Sequence, residues 1–316
     1  MHKLITATAL ITATITSATT AQTTAAFHGF GYGCEGCVNN NTDAQTDPSK
    51  TLRVQTLPNE YSYGFTAATA LKIHGFAMFT KTSPVTTAVP FTMGTALYEA
   101  DTAIPTQPSA TAVTTGSMTV DATEGWYVTE FATPTTIPAG QNFWVSGLDS
   151  NNVFASSILG GTASPLTIYW RRTGTAWSPT GIVSNPGIVI FCEGSAILSA
   201  TNTPKIPSTD FSIDLNNAPG ISPCTLILGI SNTKGPLGAL PSDLGLIGFT
   251  GCSLWVSNEF YVPGFVGTGG TYSWKIPIPN DPTLDGFNFF VQSYVINSLT
   301  GKLSFSNAGS ALAGTL

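Results

Sequence analysis

From residue 58 onward, apolar and polar residues alternate in runs of five to eight, the period of an extended chain with one side buried. ALKIHGFAMFT (70–80), TMGTALYEA (92–100), GSMTVDA (116–122), WYVTEFA (126–132), NFWVSGLD (142–149), LTIYWRR (166–172) and GIVIFCE (187–193) read as strands. β-Branched and aromatic residues fill them, and Pro-Ala-Gly, Asp-Ser-Asn-Asn or Thr-Gly-Thr breaks separate them. A second series starts near Gly194 with FSIDLNN (211–217), CTLILGIS (224–231), SLWVS (253–257), TYSWKIPI (271–278), FNFFVQSYVIN (287–297) and KLSFSNA (302–308). No long stretch has helical periodicity. The pattern predicts an all-β chain of two consecutive antiparallel β-sandwiches, jelly-roll or Ig-like in type.

One segment departs from simple alternation. In 287–296, Phe287, Phe289, Val291 and Val295 fall on one side, and Phe290, Tyr294 and Ile296 on the other. A strand apolar on both sides is expected at the centre of a sheet, covered on both faces. Before it, Pro277 and Pro279 alternate, so their missing N–H groups point the same way, toward a sheet edge. The stretch 275–296 therefore predicts an outer strand that folds back through Asn280–Gly286 as a hairpin into a buried one.

Charged residues make up only 9% of the chain, against about 25% in typical soluble domains, so Thr, Ser and Asn must wet the surface. Net charge is −6, and no Lys/Arg cluster is longer than Arg171-Arg172. Nucleic-acid binding and docking on anionic lipid both need convergent cations, and both are excluded as leading functions. The start, MHKLITATALITATITSATTAQ, has a charged Lys3, a modest apolar core and a small-residue site at Thr19-Thr20-Ala21, the layout of a signal peptide. No later run of ~18 apolar residues could span a membrane. The expected layout is a signal peptide (1–21), a Cys-bearing polar leader (22–57), a first sandwich (58–192) and a second (193–316). That places the protein outside the cell, secreted or on the cell surface.

Export permits disulfides among the five cysteines, Cys34, Cys37, Cys192, Cys224 and Cys252. An odd number leaves one thiol over. Cys34 and Cys37 have either a local bridge or bridges to the sandwiches. Cys252 is expected to bond Cys192 or Cys224.

Candidate chemistry is sparse. His28 and His74 are the histidines left after a signal cleavage, and no G-x-S-x-G elbow occurs, so a Ser-His-Asp hydrolase is not expected. A glycosidase would need two carboxylates, for which Glu99, Asp101, Asp121, Glu124 and Glu130 are candidates. Sugar binding needs less: aromatic faces for a pyranose and polar groups for its hydroxyls. Trp126, Trp144, Tyr169, Trp170, Arg172 and Trp177 are the candidate ligand-binding residues, with burial as ordinary sandwich core the competing explanation. No cofactor is expected. Structural calcium at Asp149–Asn152, or at Asn280, Asp281 and Asp285, competes with plain Asx turns.

FCEGSAILSATNTP (191–204), LNNAPG, LILGISNT, LPSDLGLIGFTGCSLWVS, IPIPNDPTLDGFNFFVQSYVIN and SFSNA run in order across about 195–310. In these pieces the C-terminal half resembles a family of secreted β-sandwich domains of unassigned role, abundant in planctomycete-type bacteria. The resemblance implies export and attachment or packing, and carries over no catalytic residue; Cys224 departs from the apolar residues expected there. The stretch LYEADTAIPTQPSATAVTTGSMTVDATEGWYVTEFATPTTIPAGQNFWVSG is similar to jelly-roll domains of secreted proteins, many of them carbohydrate-binding-module-like. The expected function is that of a non-catalytic extracellular structural or binding protein, with copies of itself or an extracellular polysaccharide as partners. A lectin-like protein is the alternative, and a glycoside hydrolase the third.

Overall fold

The computed structural model describes residues 22–34, 36–40, 52–56, 60–82, 91–120, 124–148, 153–158, 169–179 and 186–316. The expected signal peptide, Asp121 and the Asp149–Asn152 loop lie outside them. The strands are β1 (Ala26–Phe30), β2 (Val38–Asn40), β3 (Leu52–Thr56), β4 (Glu60–Thr66), β5 (Leu71–Thr82) and β6 (Phe91–Glu99). They continue as β7 (Thr114–Val120), β8 (Gly125–Ile137), β9 (Asn142–Leu148), β10 (Val153–Ile158), β11 (Tyr169–Thr173), β12 (Ala176–Pro179) and β13 (Ile188–Cys192). The second half adds β14 (Ile197–Thr201), β15 (Ser212–Asn216), β16 (Ser222–Gly229), β17 (Lys234–Gly235), β18 (Gly238–Ala239) and β19 (Ser242–Asp243). Last come β20 (Ser253–Leu254), β21 (Phe260–Val266), β22 (Tyr272–Lys275), β23 (Asn288–Ile296) and β24 (Leu303–Leu312). Among the described residues the helical turns are two short 3-10 segments, Leu244–Ile247 and Pro282–Leu284. The chain is all-β with large antiparallel sheets, as the period-two pattern predicts.

Two sheets enclose the first core. A six-stranded sheet in the order β12-β11-β4-β9-β6-β7 contributes Tyr63, Phe65, Met93, Leu97, Phe143 and Val145. Against them stand Ile73, Phe76 and Met78 of β5, Tyr127 and Phe131 of β8, and Ile188 and Ile190 of β13. In the second half, a three-stranded sheet β14-β15-β22 packs Leu198, Ile213, Leu215 and Trp274 onto Leu226, Val291 and Val295. These are face-to-face sheet packings in which alternate residues interdigitate.

The larger sheet of both sandwiches is the same one. Its strands run β2-β13-β5-β8-β1-β24-β23-β16-β21, so it crosses the whole molecule. Residues skipped by the two outer cores fill a third between the halves: Phe79, Trp126, Val189 and Phe191 from the first, Ile197, Ile227, Trp255, Phe290 and Phe305 from the second. Burying an aromatic or a large aliphatic side chain contributes about 1.5–3 kcal/mol, so this shared core resists separation of the halves. It also explains the segment apolar on both sides: β23 lies between β24 and β16, with Phe290 in the shared core and Phe289, Val291 and Val295 in the second.

Several expectations need correction. The segment 22–57 is no mere leader, because β1 pairs along Ala26–Phe30 with Leu312–Ala308 and meets Tyr127 of β8, joining the halves. Its glycines serve close packing: a Cβ on Gly33 would lie 2.0 Å from the Phe305 carbonyl oxygen, and Gly31 has φ +68° against the Trp255 ring. Cys252 bonds Cys34, not Cys192 or Cys224, and Cys37 bonds Cys192. Cys224 is the buried free thiol, its pKa pushed up to about 11 by burial. Residues 275–296 form no hairpin; β22 is the edge of the three-stranded sheet and β23 belongs to the large one. The chain changes sheets through Pro282–Leu284, capped by Asp281, whose Oδ1 accepts from the Thr283 N–H and hydroxyl.

Candidate functional site

On the six-stranded sheet, residues that alternate with the core face outward. Strand register sets Arg172 opposite both Glu60 and Trp177, Trp170 opposite Ser62, and Trp144 opposite Gly64 and Tyr98. Four of the six candidate residues, Trp144, Trp170, Arg172 and Trp177, therefore share one face. Tyr98 and Glu60, which the sequence did not single out, complete the cluster. The face is not open. Ala100 and Ala112, from the connection between β6 and β7, pack onto it, and Trp144 and Trp170 are buried.

At its centre is a buried ion pair. Glu60, 2% exposed, pairs through Oε2 with Nη2 of Arg172. Its Oε1 accepts hydrogen bonds from the Tyr98 hydroxyl at 2.7 Å and Ser146 Oγ at 2.5 Å. Nη2 also donates to the Tyr98 hydroxyl at 2.9 Å, and Nη1 to the Ala110 carbonyl at 2.9 Å. The guanidinium carbon sits 4.9 Å from the Trp177 ring centroid and 5.4 Å from that of Tyr98, a cation–π contact with each of two rings that also meet edge-on. Burial, then the Glu60 hydrogen bond, pushes the Tyr98 hydroxyl pKa up, so it stays a neutral donor. Trp177 Nε1 donates to the Ser109 carbonyl at 2.9 Å, fastening the connection from below. Each charge has its counterpart, and the guanidinium occupies the aromatic faces a sugar would use. Such a cluster fixes a loop; it presents no open row of rings.

The remaining candidates lie elsewhere. Trp126, 1% exposed, belongs to the shared core, where the Tyr32 and Phe79 rings meet it edge-on at 4.9 and 5.6 Å. Tyr169 is the first residue of β11, its side chain outside the described set.

The carboxylates are scattered. Asp101 accepts from the Ala103 and Ile104 N–H groups in an Asx turn. Glu124 and Glu130 are six residues apart along nearly extended chain, about 20 Å and well beyond glycosidase spacing. Glu130 is half-buried and accepts from Asn216 Nδ2 at 3.2 Å, and burial raises its pKa. Desolvation, then nearby Lys72, lowers that of His74. Among the described residues no three His, Cys, Asp or Glu side chains gather as a metal site. Asp285 instead accepts from the Thr23 N–H.

No protein-family model matches the chain, and no curated protein matches it. Functional inference rests on the surfaces themselves.

The second half exposes what the first conceals. Strand β21 ends the large sheet, and Phe260, Tyr261 and Phe265 are 66%, 53% and 55% exposed. Phe265 stands opposite Pro223, and Ile296 opposite Leu303. This is the side of the sheet that carries Ile227 into the shared core, continued beyond the loops that cover that core. On the opposite side a wholly apolar groove runs between Leu228, Ile230, Phe260, Leu284, Phe287 and Phe289. Among the described residues no helix is long and apolar enough to cross a membrane.

Proposed function

We propose that this is an exported, non-catalytic structural protein that packs against copies of itself through the exposed apolar end of its large sheet. The observation that carries this reading is the row formed by Tyr261, Phe265, Pro223 and Ile296 on a face the protein leaves uncovered. Exposed contiguous apolar surface mostly marks interaction sites. Export is supported by the signal-like start and by the two disulfides, which form and persist in oxidising compartments. The resemblance of the second half to secreted β-sandwich domains of unassigned role, which implies export and attachment or packing, points the same way.

The test is the concentration dependence of mass by analytical ultracentrifugation, comparing the wild-type chain with a Tyr261→Ser/Phe265→Ser variant. Wild-type self-association, weakened at least tenfold in the variant with unfolding unchanged, is expected. A wild-type chain that stays monomeric at all concentrations overturns the reading.

A further inference from the structure

The second sandwich is built differently at its two ends. Strand register puts Ser222, Val266 and Val295 toward one end of the large sheet, and Leu228, Phe260 and Phe290 toward the other. Seven residues of β16 separate Ser222 from Gly229, about 23 Å of extended chain.

The first end is an apolar tip. Ile221 and Leu299 stand on its turns, 58% and 94% exposed, and Phe265 and Ile296 continue it into the row already described. Hydrogen bonds hold its shape: Ser298 Oγ donates to the Ile221 carbonyl at 2.7 Å, tying the two turns together, and Asn297 Oδ1 accepts from the Leu299 N–H at 2.9 Å. Ile221 has φ +52°, a left-handed backbone that disfavours a β-branched residue and suits glycine or asparagine better. An isoleucine held there with its side chain outward gains nothing within the molecule, which points to use by a partner.

The other end is concave. There the second core, to which Phe289 belongs, reaches the surface as the apolar groove that Ile230, Phe260 and Phe287 border. Its volume of about 220 Å³ exceeds the ~150 Å³ of a cavity that holds a benzene ring, so a leucine side chain fits. The charges differ as well. The turns framing the tip, 217–221, 267–271 and 297–302, carry one charged residue, Lys302. Beside the groove, Glu259 accepts from the Ile230 N–H at 3.1 Å, and Asp281 and Asp285 flank the Pro282–Leu284 turn. Lys275 precedes Ile276 of the groove, but alternation with Trp274 of the second core turns it outward.

We infer that the groove receives the Ile221–Leu299 tip of a second copy, so that molecules stack head to tail. The inference rests on the self-packing reading and names both surfaces of that contact. One chain cannot join its own tip to its own groove across the length of β16. Between copies the surfaces match: convex against concave, apolar against apolar, Lys302 against carboxylates. Tip and groove face opposite ways, so each addition leaves one of each free and the copies form an open row.

The experiment uses the mature chain with both disulfides formed. Analytical ultracentrifugation compares the wild type, Leu299→Asp, Ile230→Asp, and an equimolar mixture of the two variants. Wild-type mass should climb past that of a dimer as concentration rises. Each variant alone should associate at least tenfold more weakly. The mixture should regain a dimer and stop there, because only the Ile230→Asp tip and the Leu299→Asp groove remain intact. Both positions are exposed; should Ile230→Asp lower the urea midpoint, Phe287→Ser replaces it. Undiminished association of the groove variant overturns the inference and leaves self-packing standing. So does a mixture that stays monomeric after each variant has lost association. A monomeric wild type overturns both, and saturable uptake of octanoate by that monomer would assign the groove to an acyl chain instead.

Discussion

The two halves treat their aromatic residues in opposite ways. In the first, Trp144, Trp170 and Tyr98 lie on the outward side of a sheet and are still buried, because the β6–β7 connection folds over them and Arg172 packs against the Tyr98 and Trp177 rings. In the second, Phe260, Tyr261 and Phe265 stand on an edge strand and are more than half exposed. Strand position alone does not decide exposure; what lies on top does. A cluster of tryptophans in sequence is therefore weak support for a ligand platform, whereas a less conspicuous FYVPGFV segment supplies exposed apolar surface.

The contrast can be broken most sharply at Arg172. Arg172→Met leaves the Glu60 carboxylate buried without its counter-charge and should cost about 3–5 kcal/mol in urea unfolding. The serine substitutions at Tyr261 and Phe265 should each stay near about 0.5 kcal/mol, as surface changes do. Equal costs in the two places would mean that the first half's outer face is not the internally satisfied cluster described. Next in size, Cys34→Ser/Cys252→Ser removes a cross-link between positions separated by 218 residues and should cost about 2–5 kcal/mol. Limited proteolysis should then cut first within 22–34, since the bridge ties that segment to the second half.

The smallest effect concerns Glu130, whose hydrogen bond to Asn216 joins the halves. Burial raises its pKa in the fold, so the protonated carboxyl is favoured there. Its contribution is fully present below the unfolded value of about 4.3 and is lost as pH rises through the raised folded value. Glu130→Gln keeps the neutral form at all pH. It should raise the melting temperature at pH 7 and leave it unchanged well below pH 4. A drop at pH 7 would show that the ionised carboxylate stabilises the junction.

Much of the architecture is legible in the chain because period-two burial is a local property. Each of the thirteen quoted segments overlaps a strand among the described residues, from Leu71–Thr82 to Leu303–Leu312. What escaped depended on distant partners. AFHGF is short, interrupted by Gly29 and half-exposed, and becomes a strand only because β24 lies beside it. Pro263 and Gly264 disguise β21, which tolerates them as an edge strand. Pairing among cysteines is a matter of three-dimensional proximity, invisible to spacing. Glu60 sits at the start of β4, and its importance follows from an arginine 112 positions later.

The central place of β1 constrains when this molecule can fold. Its neighbours are β8, reached a hundred residues later, and β24, made almost last. Until β24 has emerged, β1 keeps a bare edge, and the largest hydrogen-bonded layer cannot close. Pairing at such separation is slow. A polypeptide wired this way stays open while it is being synthesised, and locks only once β24 is available to β1.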